Sequence, residues 1–286
     1  MTPIGVTGAT GEVGGRVARR VADRGIPQRV LVRDAGRAPE LDGAEIATFG
    51  GFDDHDGLRD ALDGVETLLL VPAAEAPDRV DQHKTAVDAA VAAGVERIVY
   101  LSFLNASPGA TFTLVRHHWA TEEHIRSKDV AHVFPRMNMY MDFIPGMVGD
   151  DGVIRGPAGD GRVGAVLRDD LADVVAAILA DPASYDGEAF NVTGPESLSF
   201  ADFAETLSRT TGGGVSYVEE TIDEAWESRR ATGAPDWMIE GWVSSYVAVA
   251  DGSLDVVTDA VPRIAGHEAT SLEQYLTRSA AEPTSP

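Results

Sequence analysis

Residues 4–25 read IGVTGATGEVGGRVARRVADRG, an apolar run joined to a stretch of helical character. Glycines occupy the junction, at Gly8, Gly11 and Gly14. Small residues at a strand-to-helix turn permit a tight turn, close approach of backbone N–H groups to a phosphate, and tight packing of the helix on the sheet. The positive end of the helix then faces the phosphate. The stretch therefore predicts a dinucleotide site, with a plain structural turn as the alternative.

The residue at the end of the second predicted strand indicates which dinucleotide is bound. In RVLVRD, Arg33 follows Gly14 by about 19 residues, near the spacing of roughly 20 at which this fold contacts the ribose. An acid there would bond the ribose 2′-hydroxyl, whereas a guanidinium binds a 2′-phosphate. Arg37, four residues on, is a candidate second contact, with an ordinary surface arginine in a loop as the commoner alternative. The sequence predicts NADP(H), and NAD is the alternative because Asp34 can meet the hydroxyl.

Short apolar runs alternate with helical patterns through the first half of the chain, which is typical of βαβ units and a parallel sheet. We expect an α/β fold: a Rossmann-type doubly wound parallel sheet over residues 1–150, with residues 165–195 returning to it. The turn-rich residues 150–166 are expected to form an irregular hairpin. A small, mostly helical substrate region is expected over residues 196–280, followed by a disordered tail at 281–286.

Composition limits the possible functions. The 286-residue chain has a formal net charge of -23 and no cysteine. Disulfides, thiolate catalysis and cysteine metal sites are therefore excluded, and the acidic balance disfavours binding to nucleic acid or anionic membranes. The sequence shows neither a signal-peptide pattern nor an apolar run of about 18 residues. We expect a cytoplasmic monomer or homodimer that acts on a small molecule.

Six stretches together resemble the NmrA-like branch of the atypical short-chain dehydrogenases. They are TGATGEVG, VRD, FDDHDGLRDALDGVETLLLV, HKTAVDAAVAAGVERIVYLS, HHWATEEHIRS and RDDLADVVAAIL, and they span roughly residues 4–220 in the right order. The resemblance implies a Rossmann core with a small C-terminal substrate domain. It also implies kinship with NADPH-dependent quinone and triphenylmethane-dye reductases and with non-catalytic redox sensors.

The resemblance further implies a set of cofactor contacts. These residues follow the first five strands: Gly8, Thr10, Gly11, Glu12 and Val13 at the pyrophosphate, Arg33 at the 2′-phosphate, Phe52 and Asp53 at the adenine, Val71 and Pro72 at the ribose, and Ser102 at the nicotinamide. One position departs from the family pattern, because Gly51 occupies a place where many relatives carry an acid.

The proton-donating Tyr-x-x-x-Lys pair of ordinary short-chain dehydrogenases is absent, since none of the six tyrosines has a lysine four residues later. His118 and Glu122 occupy the corresponding helix. Residues at i and i+4 share a helix face, so Glu122 is expected to reach the imidazole and charge it, which makes His118 the candidate acid. A structural tether is the alternative. Ser102 and Tyr140 complete the predicted catalytic set, and no metal site is predicted, because the nearby histidines lack the order of a zinc hydrolase.

Hydride transfer to a strong electrophile needs positioning more than an acid. The apolar segment FPRMNMYMDFIPGM, residues 134–147, is expected to line the acceptor pocket, with core packing as the alternative. The leading hypothesis is an NADPH-dependent reductase of a planar or electrophilic acceptor such as a quinone, a dye or an imine. The alternatives are a non-catalytic NADP(H)-sensing regulator that binds a protein partner, and a biosynthetic carbonyl or imine reductase that uses His118 as the acid.

Overall fold

The computed structural model describes residues 2–281. Internal contacts divide this chain into two units, each built from several segments. The first unit runs to Pro108 and also contains Val115–Met137 and Arg168–Asn191; the second contains Gly109–Leu114, Asn138–Leu167 and the chain from Val192 onward.

The domain bounds that the sequence predicts, at residues 150, 165 and 195, remain a prediction. Of the predicted tail at 281–286, Ala281 is the last residue of a helix, and the remainder lies outside the described residues.

One sheet forms the centre of the first unit. Its strands are β1 (Ile4–Val6), β2 (Gln28–Val32), β3 (Ala44–Thr48), β4 (Thr67–Leu70), β5 (Arg97–Tyr100), β6 (Ser102–Phe103), β7 (Ala131–Met137) and β10 (Ala189–Val192). The spatial order is β10-β7-β5-β4-β1-β2-β3, with β6 paired to the end of β7. The pairs from β3 to β7 are parallel. The predicted Rossmann-type α/β fold is confirmed, and the strand order reverses between β1 and β4, where such sheets bind ligands beyond the carboxyl ends of the strands.

Helices cover this sheet because each buries one apolar face on it. They are α1 (Glu12–Asp23), α2 (His55–Ala61), α3 (Arg79–Ala92), α4 (Val115–Arg126) and α5 (Arg168–Ala180). Strand β4 is buried on both faces, as its continuous apolar run predicts. Helix α1 is tied to α5 by Arg20, whose guanidinium binds Asp169 at 2.8 Å and Asp173 at 2.6 Å. These contacts fix the direction in which the first turn of α1 points.

The second unit contains short strands and four α-helices among its described residues. They are β8 (Val153–Gly156), β9 (Arg162–Val163), β11 (Leu198–Ser199), β12 (Ser216–Glu219), α6 (Phe200–Thr211), α7 (Ile222–Arg230), α8 (Asp236–Ala250) and α9 (Leu272–Ala281).

The expected hairpin over residues 150–166 is wrong, because β8 pairs with β12 and β9 pairs with β11. Turn chemistry predicted the reversals of the chain, but the strand partners come from more than 30 residues away in sequence. Within residues 2–281, every helix is too short or too polar to cross a bilayer.

Candidate active site

The glycine-rich turn packs so tightly that two of its glycines cannot carry a side chain. Gly8 has a φ of 67°, and a Cβ on it would lie 2.9 Å from Cβ of Val71. A Cβ on Gly14 would lie 2.3 Å from the carbonyl oxygen of Gly8. The ends of β1 and β4 and the first turn of α1 therefore meet with backbone nearly in contact, as a pyrophosphate loop requires.

Helix α1 presents its first amides without a side-chain cap. Its N-cap is Gly11, whose own amide donates to the carbonyl of Gly8 at 2.9 Å. The first amides of a helix have no intrahelical acceptor, and here the N-cap offers no side-chain oxygen in their place. A phosphate is the ligand that this geometry favours.

A cleft of about 300 Å³ opens beside this turn. It is lined by Ala9, Thr10, Gly11, Glu12, Gly15, Arg16, Arg19, Arg37 and Pro39. Arg16 binds Glu12, and this ion pair holds the pKa of the Glu12 carboxyl below its usual value. Arg19 and Arg37 are exposed, and neither guanidinium forms a hydrogen bond or ion pair within the described chain. The cleft therefore offers two cations to an anionic ligand.

Arg19 is a lining residue that the sequence analysis missed. Its only sequence signal is its place on α1, two turns beyond Gly11, and that place is equally typical of an ordinary surface arginine. Arg33 directly follows the last residue of β2 and is exposed, but it does not line this cleft. The carboxylate of Asp34 accepts a hydrogen bond from the amide of Gly36 at 2.9 Å and caps a short turn. This carboxylate is the group that would bind the ribose 2′-hydroxyl of NAD, and it is already engaged in the turn.

The predicted adenine region lies after β3. Phe52 is half-buried, with its ring centroid 5.9 Å from that of Phe49, and Asp53 is exposed. Gly51 is buried with a φ of 144°, a backbone conformation that side chains rarely adopt. A side chain at position 51 would therefore be strained in this conformation.

The loop that follows β4 is held at successive backbone groups. The amide of Val71 donates to Oγ1 of Thr7 at 2.9 Å, and the amide of Ala73 donates to Nε2 of His83 at 2.9 Å. Nε of Arg79 donates to the carbonyl of Ala73 at 2.9 Å. Val71 and Pro72, the predicted ribose contacts, therefore stand on a loop fixed from both sides.

His83 is a neutral anchor for this loop. Burial, followed by the charge of Arg79, lowers the pKa of His83 to about 3. Because Nε2 accepts from Ala73, Nδ1 carries the proton and donates to Oγ1 of Thr121 at 2.9 Å. That hydroxyl in turn donates to the carbonyl of His117 at 2.8 Å. The direction of each hydrogen bond from Ala73 through His83 and Thr121 to His117 is therefore fixed.

The predicted contact between His118 and Glu122 is wrong. Nδ1 of His118 lies 3.0 Å from the hydroxyl of Tyr100, and the carboxylate of Glu122 is bound by Ser102, Arg126 and Arg136. His118 is buried, and this desolvation, with the charge of Arg79, holds its pKa well below the usual value. Its imidazole is thus neutral at pH 7, and the protonated form expected from the sequence is disfavoured.

Ser102 and Glu122 are both fully buried. The hydroxyl of Ser102 donates to Oε1 of Glu122 at 2.6 Å, while Arg136 binds both carboxylate oxygens. The network ties β6 and β7 to α4. The structure brings Ser102, Glu122 and His118 into one unit, and their catalytic assignment stays a prediction.

Tyr140 belongs to the second unit. It is half-buried and forms a bridge with Val166, directly before a 3₁₀ helix over Met141–Met147. Asn138 is buried and its amide donates to the carbonyl of Leu254 at 3.0 Å. In the predicted acceptor segment, Met141 is buried and Phe143 is exposed, so part of the segment is core and part is surface.

Comparisons with known proteins show what this chain is similar to. A sequence model of the NmrA-like family matches residues 2–236. The NAD(P)H azoreductase of Xenophilus azovorans is 28% identical, over 96% of this chain and 97% of its own length. The crystal structure of an NADPH-dependent quinone oxidoreductase of Escherichia coli in complex with NADPH is 26% identical, with a TM-score of 0.89 over 97% of this chain and 99% of that one. The Citrobacter triphenylmethane reductase complexed with NADP(H) is 27% identical, with a TM-score of 0.85 over the same shares.

Proposed function

Because the chain belongs to the NmrA-like family, we propose that it is an NADPH-dependent reductase that transfers hydride to a small planar or electrophilic acceptor. The relatives support a reductase over a regulator, since they are named as azo, quinone and dye reductases. NADP(H) is the proposed cofactor, and a cytoplasmic location and a monomeric or homodimeric state remain part of the proposal.

The observation that carries the proposal is the cleft at the first turn of α1. A pyrophosphate fits there because Gly8 and Gly14 allow the turn to pack tightly and the N-cap Gly11 leaves the first amides of α1 without a side-chain acceptor. The cations on Arg19 and Arg37 line the same cleft, and Arg33 stands at the end of β2. We propose that these three arginines select the 2′-phosphate of NADPH.

The remaining cofactor contacts follow the strand ends. We propose that Thr10, Glu12 and Val13 hold the pyrophosphate with Gly8 and Gly11. Phe52 and Asp53 are proposed to bound the adenine, and Val71 and Pro72 the ribose.

When bound, the nicotinamide supplies the hydride. The protein's part is to position the acceptor and exclude water, which suits strong electrophiles that need no side-chain acid. The neutral, buried state of His118 supports this mechanism over one in which His118 donates a proton. We propose that His118, Ser102 and Glu122 position the carboxyl ends of β5 and β6, and that Tyr140 contacts the acceptor.

Purified protein mixed with NADPH and a panel of quinones, azo dyes, cationic dyes and cyclic imines tests the proposal. Loss of NADPH absorbance with at least one acceptor is the expected result. Tight NADPH binding without turnover of any acceptor would instead favour the sensor. Tyr140→Phe is expected to change KM for the acceptor and to leave the Kd for NADPH unchanged.

A further inference from the structure

Arg79 is a buried arginine that forms no ion pair with a carboxylate of the described residues. It is the first residue of α3, and only 6% of its surface is exposed. Its Nε donates to the carbonyl of Ala73, and its two terminal nitrogens have no hydrogen-bond or ion-pair partner among residues 2–281. A guanidinium carries five N–H donors in a fork that suits an oxyanion, so most of its donors here remain available.

The two terminal nitrogens of Arg79 keep some accessible surface. They are not among the fully buried side-chain atoms of residues 2–281 that lack a hydrogen-bond partner. A ligand that contacts this surface would supply the missing partner.

The groups around Arg79 leave its charge uncompensated. His83, His117 and His118 all feel this charge, and it contributes to lowering the pKa of each imidazole, so they are neutral at pH 7. Burial raises the pKa of Tyr100, which keeps the phenol uncharged as well.

The nearby carboxylate of Glu122 is already bound by Arg126 and Arg136. Asp78 and Asp81, the neighbours of Arg79 in sequence, are exposed and form no ion pair with it among residues 2–281. The uncompensated guanidinium favours an acceptor that becomes negative over one that starts positive.

The position of Arg79 in the fold is that of a ligand-binding residue. Helix α3 follows β4 and precedes β5, so its first turn lies at the carboxyl edge of the parallel sheet, where open α/β sheets bind ligands. Ala73, which Arg79 holds, comes three residues after the end of β4 and next to the proposed ribose contacts. A desolvated charge without a partner is costly, which argues that a bound group supplies the missing partner.

We propose that Arg79 binds the acceptor oxygen on which negative charge develops, so that the enzyme prefers quinones and conjugated carbonyls to cationic dyes and iminium ions. The inference rests on the proposed NADPH-dependent function. A quinone that takes a hydride from NADPH gains one proton and two electrons and becomes a hydroquinone monoanion, while NADPH becomes NADP⁺. A proton from water then completes the hydroquinone. The guanidinium of Arg79 stabilises the monoanion before that proton arrives.

The substitution Arg79→Met tests this with two acceptors of opposite charge demand. For a benzoquinone, we expect kcat/KM to fall about 10²-fold, as when one donor to a developing oxyanion is removed. For a cationic triphenylmethane dye, kcat/KM should stay unchanged or rise, because reduction of the dye removes a positive charge. Arg79→Lys, which keeps the charge without the fork, should recover part of the quinone activity.

The matched control is Arg59→Met, which removes a partly exposed arginine of α2 that binds Asp56 and Asp60. It should leave both rates unchanged. Equal losses with both acceptors, or a Kd for NADPH that weakens as much as the quinone rate, overturn the role of Arg79. A wild-type protein that neither binds NADPH nor consumes it with any acceptor overturns the proposed function as well, so the two failures are distinct.

Binding of 4-nitrophenolate gives a second readout that needs no turnover. Titrated into protein saturated with NADP⁺, at a pH where the phenol is ionised, the wild type and Arg59→Met are expected to bind this planar oxyanion about tenfold more tightly than Arg79→Met. The visible absorbance of the phenolate reports binding. Equal affinities, or no binding by the wild type, overturn the proposal. Arg79→Gln serves as the second variant if Arg79→Met does not fold.

Discussion

Glu122 and Arg79 are both buried charges of the first unit, yet their surroundings differ. The carboxylate of Glu122 is fully buried and is bound by Ser102, Arg126 and Arg136. Arg79 is 6% exposed, and its guanidinium makes one hydrogen bond among residues 2–281, to a backbone carbonyl. A buried charge that is fully paired within the protein stabilises the fold, whereas a buried charge without a charged partner in the protein is available to a ligand. Stability and binding should therefore respond in opposite ways at the two positions.

The largest expected effect is on stability at Glu122. Glu122→Gln removes the anion and leaves Arg136 and Arg126 facing each other without it. We expect the free energy of unfolding to fall by about 3 kcal/mol, the lower end for a broken buried pair, because both arginines are partly exposed. Urea denaturation at pH 7 measures it.

Glu123→Gln is the matched control for Glu122→Gln. Its carboxylate is half exposed and pairs with Arg126 alone, so we expect a loss below about 1 kcal/mol. Similar losses for the two variants would mean that the Glu122 network contributes no more than an ordinary surface pair.

The next effect is the dependence of stability on pH, and it arises at His83, beside Arg79. The pKa of His83 is about 3 in the folded protein and about 6.5 in an unfolded chain, so between these values the unfolded chain binds the proton and the folded protein does not. His83 therefore leaves the free energy of unfolding at its full value above pH 6.5 and lowers it as the pH falls toward 3, by at most about 1.4 kcal/mol per pH unit.

Denaturation of the wild type and of His83→Gln at pH 7, 6, 5 and 4 measures this slope as a difference between the two proteins. Because the charge of Arg79 is the second cause of the lowered pKa, after burial, Arg79→Met should make the wild-type slope shallower. Parallel curves for all three proteins would show that His83 accepts a proton in the folded state as readily as in the unfolded chain.

A smaller effect is expected at Arg19 and Arg37 of the cofactor cleft, which contrast with the buried Arg79 in being exposed. Arg19→Gln and Arg37→Gln should each weaken NADPH binding about tenfold and leave NADH binding unchanged, since only NADPH carries the 2′-phosphate. Calorimetric Kd values measure this. Arg24→Gln, an exposed arginine at the other end of α1, is the control.

Arg33→Asp distinguishes two assignments of the 2′-phosphate contact: Arg33, which the sequence predicts, and the cleft residues Arg19 and Arg37. A large loss of NADPH affinity at Arg33 with none at Arg19 and Arg37 would show that the cleft arginines do not contact the phosphate. Losses at all three positions would support a shared site.

The sequence was sufficient for features that depend on local pattern. The glycine turn, the continuous apolar run of β4 and the alternation of strands and helices depend on neighbours in the chain, and the predicted α/β sheet is confirmed. The contact between His118 and Glu122 failed because helical spacing shows which residues share a face and not which distant partner reaches them. Arg136 comes from β7, 14 residues away, and takes the carboxylate.

Arg79 shows the other limit of sequence analysis. In the sequence PDRVDQH, Arg79 is a charged residue in a polar stretch where a helix begins, and Asp78 and Asp81 are close by in sequence. That pattern predicts an exposed residue with acidic partners. Its burial arises from the packing of α3 against α4 and the loop after β4, and no local pattern encodes that packing.

The smallest expected change in stability completes the comparison. Arg79→Met loses the hydrogen bond to Ala73, worth about 1 kcal/mol, but it also removes a desolvated charge that no carboxylate offsets. The two effects oppose each other, so the free energy of unfolding in the absence of ligand should change by less than about 1 kcal/mol. The same urea denaturation measures it beside Glu122→Gln. A loss as large as that of Glu122→Gln would mean that the charge of Arg79 is paired within the protein after all. That charge would then stabilise the fold and would be unavailable to an acceptor.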